Sequence, residues 1–186
     1  MLSRITPLLR SCCLWGVIAM IMGCTASPPN GEITVGQSAM NEELKKLLGG
    51  QAGVKIVREA TTVRAYRVES VAESYDQLSQ YRMTSGPVVV SNHEVGHLRE
   101  AVLDQRTYLW NLAKACGPPV YGVRFEFVAS DHRVDIMICY ACDYLGVYVD
   151  GKLVGYEDCD EGRAALVAVA KAVFPQDDEI AKLKSR

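Results

Sequence analysis

Histidine is scarce in this sequence, with three in 186 residues. No block of lysine or arginine stands out after residue 23, which argues against nucleic acid as a partner. No apolar run reaches the roughly 20 residues of a bilayer-spanning helix. The longest, over 14–22, is short and is interrupted by Gly16. A Gly-rich phosphate loop, a nucleophile elbow and a dinucleotide fingerprint are all missing. Phosphoryl transfer, serine-hydrolase chemistry and nicotinamide redox are therefore left without their usual residues. There is no internal repeat, which excludes a solenoid. The length suits one domain with a leader and a tether rather than two full domains.

The first 23 residues differ from the rest. Arg4 and Arg10 are their only charges, and the apolar run follows. A basic head, a short apolar core and a small residue before a cut describe an export signal. Ile21-Met22-Gly23-Cys24 resembles a lipobox. That resemblance implies cleavage before Cys24, a thioether-linked diacylglycerol on its sulfur and a further acyl chain on its amine. Each buried methylene contributes about 0.8 kcal/mol, so several chains hold firmly where one does not. Thr25 rather than Asp follows, which by resemblance to Gram-negative sorting rules favours the periplasmic face of the outer membrane. The alternative is an uncleaved signal anchor with a chance cysteine. Removing Arg4 and Arg10 from the 20 basic residues leaves 18 against 22 acidic ones, a formal charge of −4.

The expected organisation is a signal peptide over 1–23, a flexible tether over 24–40 and one α+β domain over 41–186. The tether reading rests on Pro, Gly and Ser content without an apolar period. Asn41 is placed to cap a short helix that Gly49 ends. Strands are expected over 53–58, 62–69 and 86–90, while 71–81 is ambiguous. Asn92 is expected to cap a helix over 93–105, and a second helix is read over 106–116 from the spacing of Leu109, Leu112, Ala113 and Cys116. From Val120 onward alternation is clear. Val123, Phe125 and Phe127 share one face while Arg124 and Glu126 share the other. Val134, Ile136 and Ile138 line the returning strand. Asp150-Gly151 is a two-residue hairpin signal between two further strands. Asp160 and Asp177 open two terminal helices. Strands flanked by helices at both ends predict an antiparallel meander with helices packed on one face.

Residues from about Tyr81 to Leu183 resemble a family of small bacterial proteins that often carry lipoprotein signals and have no known activity. The resemblance rests on Lys114-Ala115-Cys116, Tyr121-Gly122-Val123-Arg124-Phe125, Val134-Asp135-Ile136 and Cys139-Tyr140-Ala141-Cys142-Asp143. Val147-Tyr148, Asp150-Gly151 and Phe174-Pro175-Gln176-Asp177 complete it. It implies a fold and no reaction. The chain departs from the family in carrying Tyr140-Ala141 between the paired cysteines, where Phe-Glu is usual, and Cys159 where an aromatic is usual.

Two groups of residues can carry chemistry. Cys116, Cys139, Cys142 and Cys159 remain in the domain once the leader is removed. Structural disulfides, a four-thiolate zinc site and a redox-active Cys139–Cys142 pair all fit that set. Residues i and i+3 of an extended strand lie about 10 Å apart, so Cys139 and Cys142 meet only across a turn or bulge. The second group, His93-Glu94-Val95-Gly96-His97, matches H-E-x-x-H. On a helix its histidines can share zinc, and Glu94 can act as the base toward a metal-bound water. Against this, Val95, Leu98 and Val102 form the core stripe, so His93 and His97 face outward beside Glu100 and Asp104. A charged outer face, a surface metal site of His93, His97, Glu100 and Asp104, and a zinc hydrolase stay open as readings.

The leading expectation is a lipid-anchored envelope protein without catalytic residues or cofactor, in a binding or structural role. The alternatives are a zinc-dependent hydrolase on His93, Glu94 and His97, and a thiol or metal-handling module on Cys139 and Cys142. Metabolic labelling with a palmitate analogue is expected to mark the wild-type chain and not Cys24→Ala. Equal labelling of the two removes the anchor from this reading.

Overall fold

The computed structural model describes residues 40–70, 76–112, 114–115 and 119–185. The expected signal peptide, Cys24, the tether up to residue 39 and Cys116 lie outside them. The domain opens with α1 (Glu42–Leu47), whose cap is the predicted one: Asn41 Oδ1 accepts from the Glu43 amide at 2.8 Å. Gly49 and Gly50, both at positive φ, turn the chain into α2 (Gly50–Glu59). This helix replaces the strand expected over 53–58. The β-branched residues that suggested a strand lie at Val54, Ile56 and Val57, and all three are buried. Propensity is a weak signal, and the packing of α2 on the sheet overrides it.

Six strands form one antiparallel sheet: β1 (Thr62–Ser70), β2 (Tyr81–Val89), β3 (Val123–Ala129), β4 (His132–Cys139), β5 (Tyr144–Val149) and β6 (Lys152–Asp158). Their order is β2-β1-β3-β4-β5-β6, so β3 to β6 make the predicted meander. Asp150 and Gly151 both take positive φ, as a tight two-residue hairpin loop requires. The chain between β1 and β2 docks on that hairpin. The Leu78 amide donates to the Gly151 carbonyl at 2.9 Å, and the Leu153 amide to that of Asp76 at 3.0 Å. The strand expected over 86–90 is the end of the longer β2, an edge strand exposed along most of its length.

One sheet face carries Phe125, Phe127, Ile136, Ile138 and Val147, all buried in one cluster with residues of α1, α2, α3 (Asn92–Leu103) and α4 (Arg163–Val173). This is the expected α+β arrangement. The opposite face is not the solvated one that alternation suggests. Arg124 and Glu126 are each 6% exposed, and Asp135 is fully buried. Arg124 donates from Nε to Asp135 Oδ1 and from Nη2 to Glu126 Oε1, both at 2.8 Å. Arg64 pairs with Glu126 at 2.8 Å, and Arg133 with Asp135 at 3.3 Å. Burial pushes the Asp135 carboxyl up even against the pull of Arg124. Farther along this face Tyr81, Tyr121 and Tyr148 meet in tilted and edge-to-face contacts with centroids 5.6 to 6.5 Å apart.

Among the described residues of 106–116, the expected α-helix does not form. A single 3-10 turn covers Gln105–Thr107, Asn111 takes φ 61°, and Leu112 is about half exposed. The Leu109 amide donates to the Asp158 carbonyl at 3.1 Å, at the end of β6, instead of one turn back along a helix. Ala113 and Cys116, half of the stripe that suggested a helix, lie outside the described residues. The terminal helices form where expected, but Asp160 does not cap the first, which begins after Gly162 without a side-chain cap. A 3-10 turn over Asp160–Gly162 leads into α4, and Asp177 caps α5 (Asp178–Ala181) through two amides.

Arg163 opens α4 and is buried. It donates from Nη1 to the Tyr140 carbonyl at 2.7 Å and to the Asp143 carboxylate, and from Nε to the Lys184 carbonyl at 2.9 Å. It thereby joins the β4–β5 turn, α4 and the C-terminal segment. Removing one partner of a buried pair costs about 3–5 kcal/mol because the other charge is left uncompensated. Arg163→Met is therefore expected to lower unfolding stability by about that amount in urea titrations. An effect within about 0.5 kcal/mol, typical of surface substitutions, would show that the pair contributes nothing net.

Candidate functional site

α3 places the H-E-x-x-H residues. Ser91 rather than Asn92 is its cap, with Oγ accepting from the Glu94 amide at 3.2 Å. Val95, Leu98 and Val102 are buried as predicted, which sends His93 and His97 outward. The two imidazoles meet, with Nε2 atoms 3.3 Å apart and rings nearly perpendicular at 85°. Glu100 Oε2 lies 3.5 Å from His97 Nδ1.

The outer face of α3 is one wall of a groove of about 560 Å³. His93, Glu94, His97 and Glu100 line this wall, and Ala165, Ala168 and Ala172 of α4 line the other. Outward orientation in the sequence says nothing about a second helix beside it, so this enclosure has no signal in the helical period of α3. Thr107 and Gly162 lie at one end of the groove. There the Thr107 hydroxyl donates to the Ala101 carbonyl at 2.7 Å. A Cβ on Gly162 would stand 2.4 Å from Thr107 Cγ2, so glycine permits the close approach of the two turns.

Asp104, one of the oxygens considered for a surface metal site, is already engaged. It accepts from the Arg106 side chain at 2.7 to 3.0 Å and from the Arg106 amide at 2.9 Å. The Arg106 guanidinium holds its carboxyl below the usual range. Among the described residues, no three His, Cys, Asp or Glu side chains gather as metal ligands. A hydrolytic zinc centre keeps three protein ligands and one open position. The groove offers two imidazoles facing a wall of alanine.

The cysteines divide differently. Residues 140–143 form the turn that a Cys139–Cys142 encounter requires, and the two Sγ atoms lie 3.4 Å apart. That is a contact and not the roughly 2.05 Å of a disulfide, so the expected disulfide is not supported among the described cysteines. Cys159 is buried and hydrogen-bonds through Sγ to the Asp143 carbonyl at 3.2 Å. Burial, reinforced by Asp158, pushes its thiol up to about 12.

The sheet's buried charges are the feature that sequence reading missed. Arg64, Arg124 and Arg133 pair with Glu126 and Asp135, so the buried charges of the two signs lie against one another. The register Glu126↔Asp135 signals it once β3 and β4 are paired. No family model matches the chain, and no match was found among curated proteins or solved structures.

Two glycines, one inside α3 and one at the groove, predict opposite outcomes. A Cβ on Gly96, inside α3, meets nothing within 4 Å. Gly96→Ala is expected to stabilise the domain by about 0.5–1 kcal/mol through helix propensity. Gly162→Ala is expected to destabilise it by about 1–3 kcal/mol through overpacking against Thr107. Denaturant midpoints check both, and a stable Gly162→Ala would mean that the two turns separate freely.

Proposed function

We propose that the chain is a lipid-anchored protein of the cell envelope, held through Cys24, whose α+β domain binds a ligand in the α3–α4 groove without transforming it. The leader residues support the anchor and, through Thr25, the periplasmic face of the outer membrane. No helix among the described residues is long and apolar enough to cross a membrane, so Cys24 and its lipid supply the attachment in this reading. One observation carries the binding role: the histidines of the H-E-x-x-H motif face Ala165, Ala168 and Ala172 across a groove that gives them no third ligand. A pocket of a few hundred Å³ with a few convergent polar groups is the ordinary form of a small-molecule site.

The hydrolase is the competing reading, because Glu94 lines the same wall as the two imidazoles. Purified full-length chain supplied with zinc is to be assayed on peptide, ester and phosphoester substrates beside Glu94→Gln. The expected result is no turnover in either protein. Turnover that requires Glu94 would establish the hydrolase. In parallel, a small-molecule fragment library is screened by NMR against the wild type and Ala168→Trp. The expected hits perturb α3 and α4 amides and are lost when the indole fills the groove. Hits that ignore Ala168→Trp would place binding elsewhere.

A further inference from the structure

We infer that His93 and His97 form a two-imidazole clamp for a zinc ion, with the remaining coordination positions open to the groove. This rests on the groove reading above and gives it a ligand chemistry. The first argument is geometric. With Zn–N bonds of about 2.0–2.1 Å, two ligands at the tetrahedral angle stand about 3.3–3.4 Å apart, against about 2.9 Å at a right angle. The two Nε2 atoms are 3.3 Å apart. The imidazoles already hold the tetrahedral separation between their donor atoms.

The second argument is the set of groups behind the rings. Glu100 stands at the Nδ1 side of His97, away from the nitrogen that faces His93. A carboxylate in that position favours the tautomer with the proton on Nδ1 and leaves Nε2 as the donor to a metal. The third argument is the charge of the groove. Glu94, Glu100, Asp104 and Glu161 line it with the two histidines, and no lysine or arginine does among the described residues. Arg106 offsets Asp104 alone. The resulting field attracts a cation and opposes a free anion.

The alanines of α4 complete the argument. They bring no donor atom, so a bound zinc keeps positions for water or for a donor group on a ligand. The clamp therefore recognises molecules through the metal, with carboxylate, imidazole or thiolate donors as the matching chemistry. It lacks the third protein ligand that would hold the ion through a catalytic cycle.

The experiment titrates zinc chloride into the full-length protein and follows imidazole nitrogen resonances by long-range 1H–15N NMR. His132, which lies 3.2 Å from Asp150 on the β5–β6 turn, is the internal control. The expected result is one zinc that shifts Nε2 of His93 and His97 and leaves His132 unmoved. Binding at this site should weaken at least tenfold in His93→Ala or His97→Ala and several-fold in Glu100→Gln. All three residues are exposed, so the variants retain the fold, and amide spectra confirm it. Zinc that leaves both Nε2 resonances in place, including zinc taken up by cysteines, overturns the clamp. If fragments still depend on Ala168 in that case, the groove reading stands without the metal. If they do not, both fall.

Discussion

The domain depends on one buried guanidinium. Arg163 stands where three segments with no local reason to meet are joined: the β4–β5 turn, the start of α4 and the C-terminal Lys184. The turn is tight because Asp143 takes positive φ, and its carboxylate and the Tyr140 carbonyl both need donors inside the protein. Arg163 supplies them with directional bonds that a lysine's single ammonium cannot reproduce. The consequence reaches the groove. α4 is anchored at its first residue, Gly162 immediately before it seats against Thr107, and Ala165 and Ala168 follow along the wall opposite His97.

The sheet is built by two kinds of burial. On the helix-covered face, apolar side chains leave water at about 25 cal/mol per Å², a gain that a one-residue slip forfeits and a two-residue slip, which keeps the faces, largely retains. On the other face, Arg124 must meet Asp135 and Glu126 at hydrogen-bonding distance. That condition holds only when β3 and β4 pair in the observed register, because a one-residue slip would turn Asp135 toward the helices. The ion network adds little net stability against its desolvation. Its contribution is to make a two-residue slip costly as well, because that slip keeps Val, Ile and Phe on the inner face but parts Glu126 and Asp135.

What was legible in the sequence follows from how far each signal reaches. The alternation from Val123 to Ile138 and the Asp150-Gly151 turn are local patterns, and β3 to β6 form as they predict. So does the cap of α1 at Asn41. The errors lie where a segment's partner is distant. Val54, Ile56 and Val57 suit a strand by propensity, but they are buried as the inner face of α2. The stretch after Arg106 has a helical period, yet Leu109 pairs with Asp158 of β6 and Asn111 breaks the path. Arg124 and Glu126 were assigned correctly to the face away from the phenylalanines. Their burial was invisible because a paired charge and a solvated one read alike in a sequence.

The same limit decides what H-E-x-x-H means in this chain. The motif is local: an i, i+4 pair on one helix face guarantees that two imidazoles can meet, and here they do at 3.3 Å. Everything that turns such a pair into a hydrolytic centre is non-local, since the third ligand and the enclosing walls come from other elements. α4 supplies one wall but lines it with Ala165, Ala168, Val169 and Ala172. One carboxylate or imidazole in place of an alanine would complete a three-ligand set, and nothing in the helical period of α4 forbids one, because the three alanines are exposed and do not pack the core. The choice between clamp and catalyst therefore rests on the small side chains of α4 and not on the motif that first draws attention.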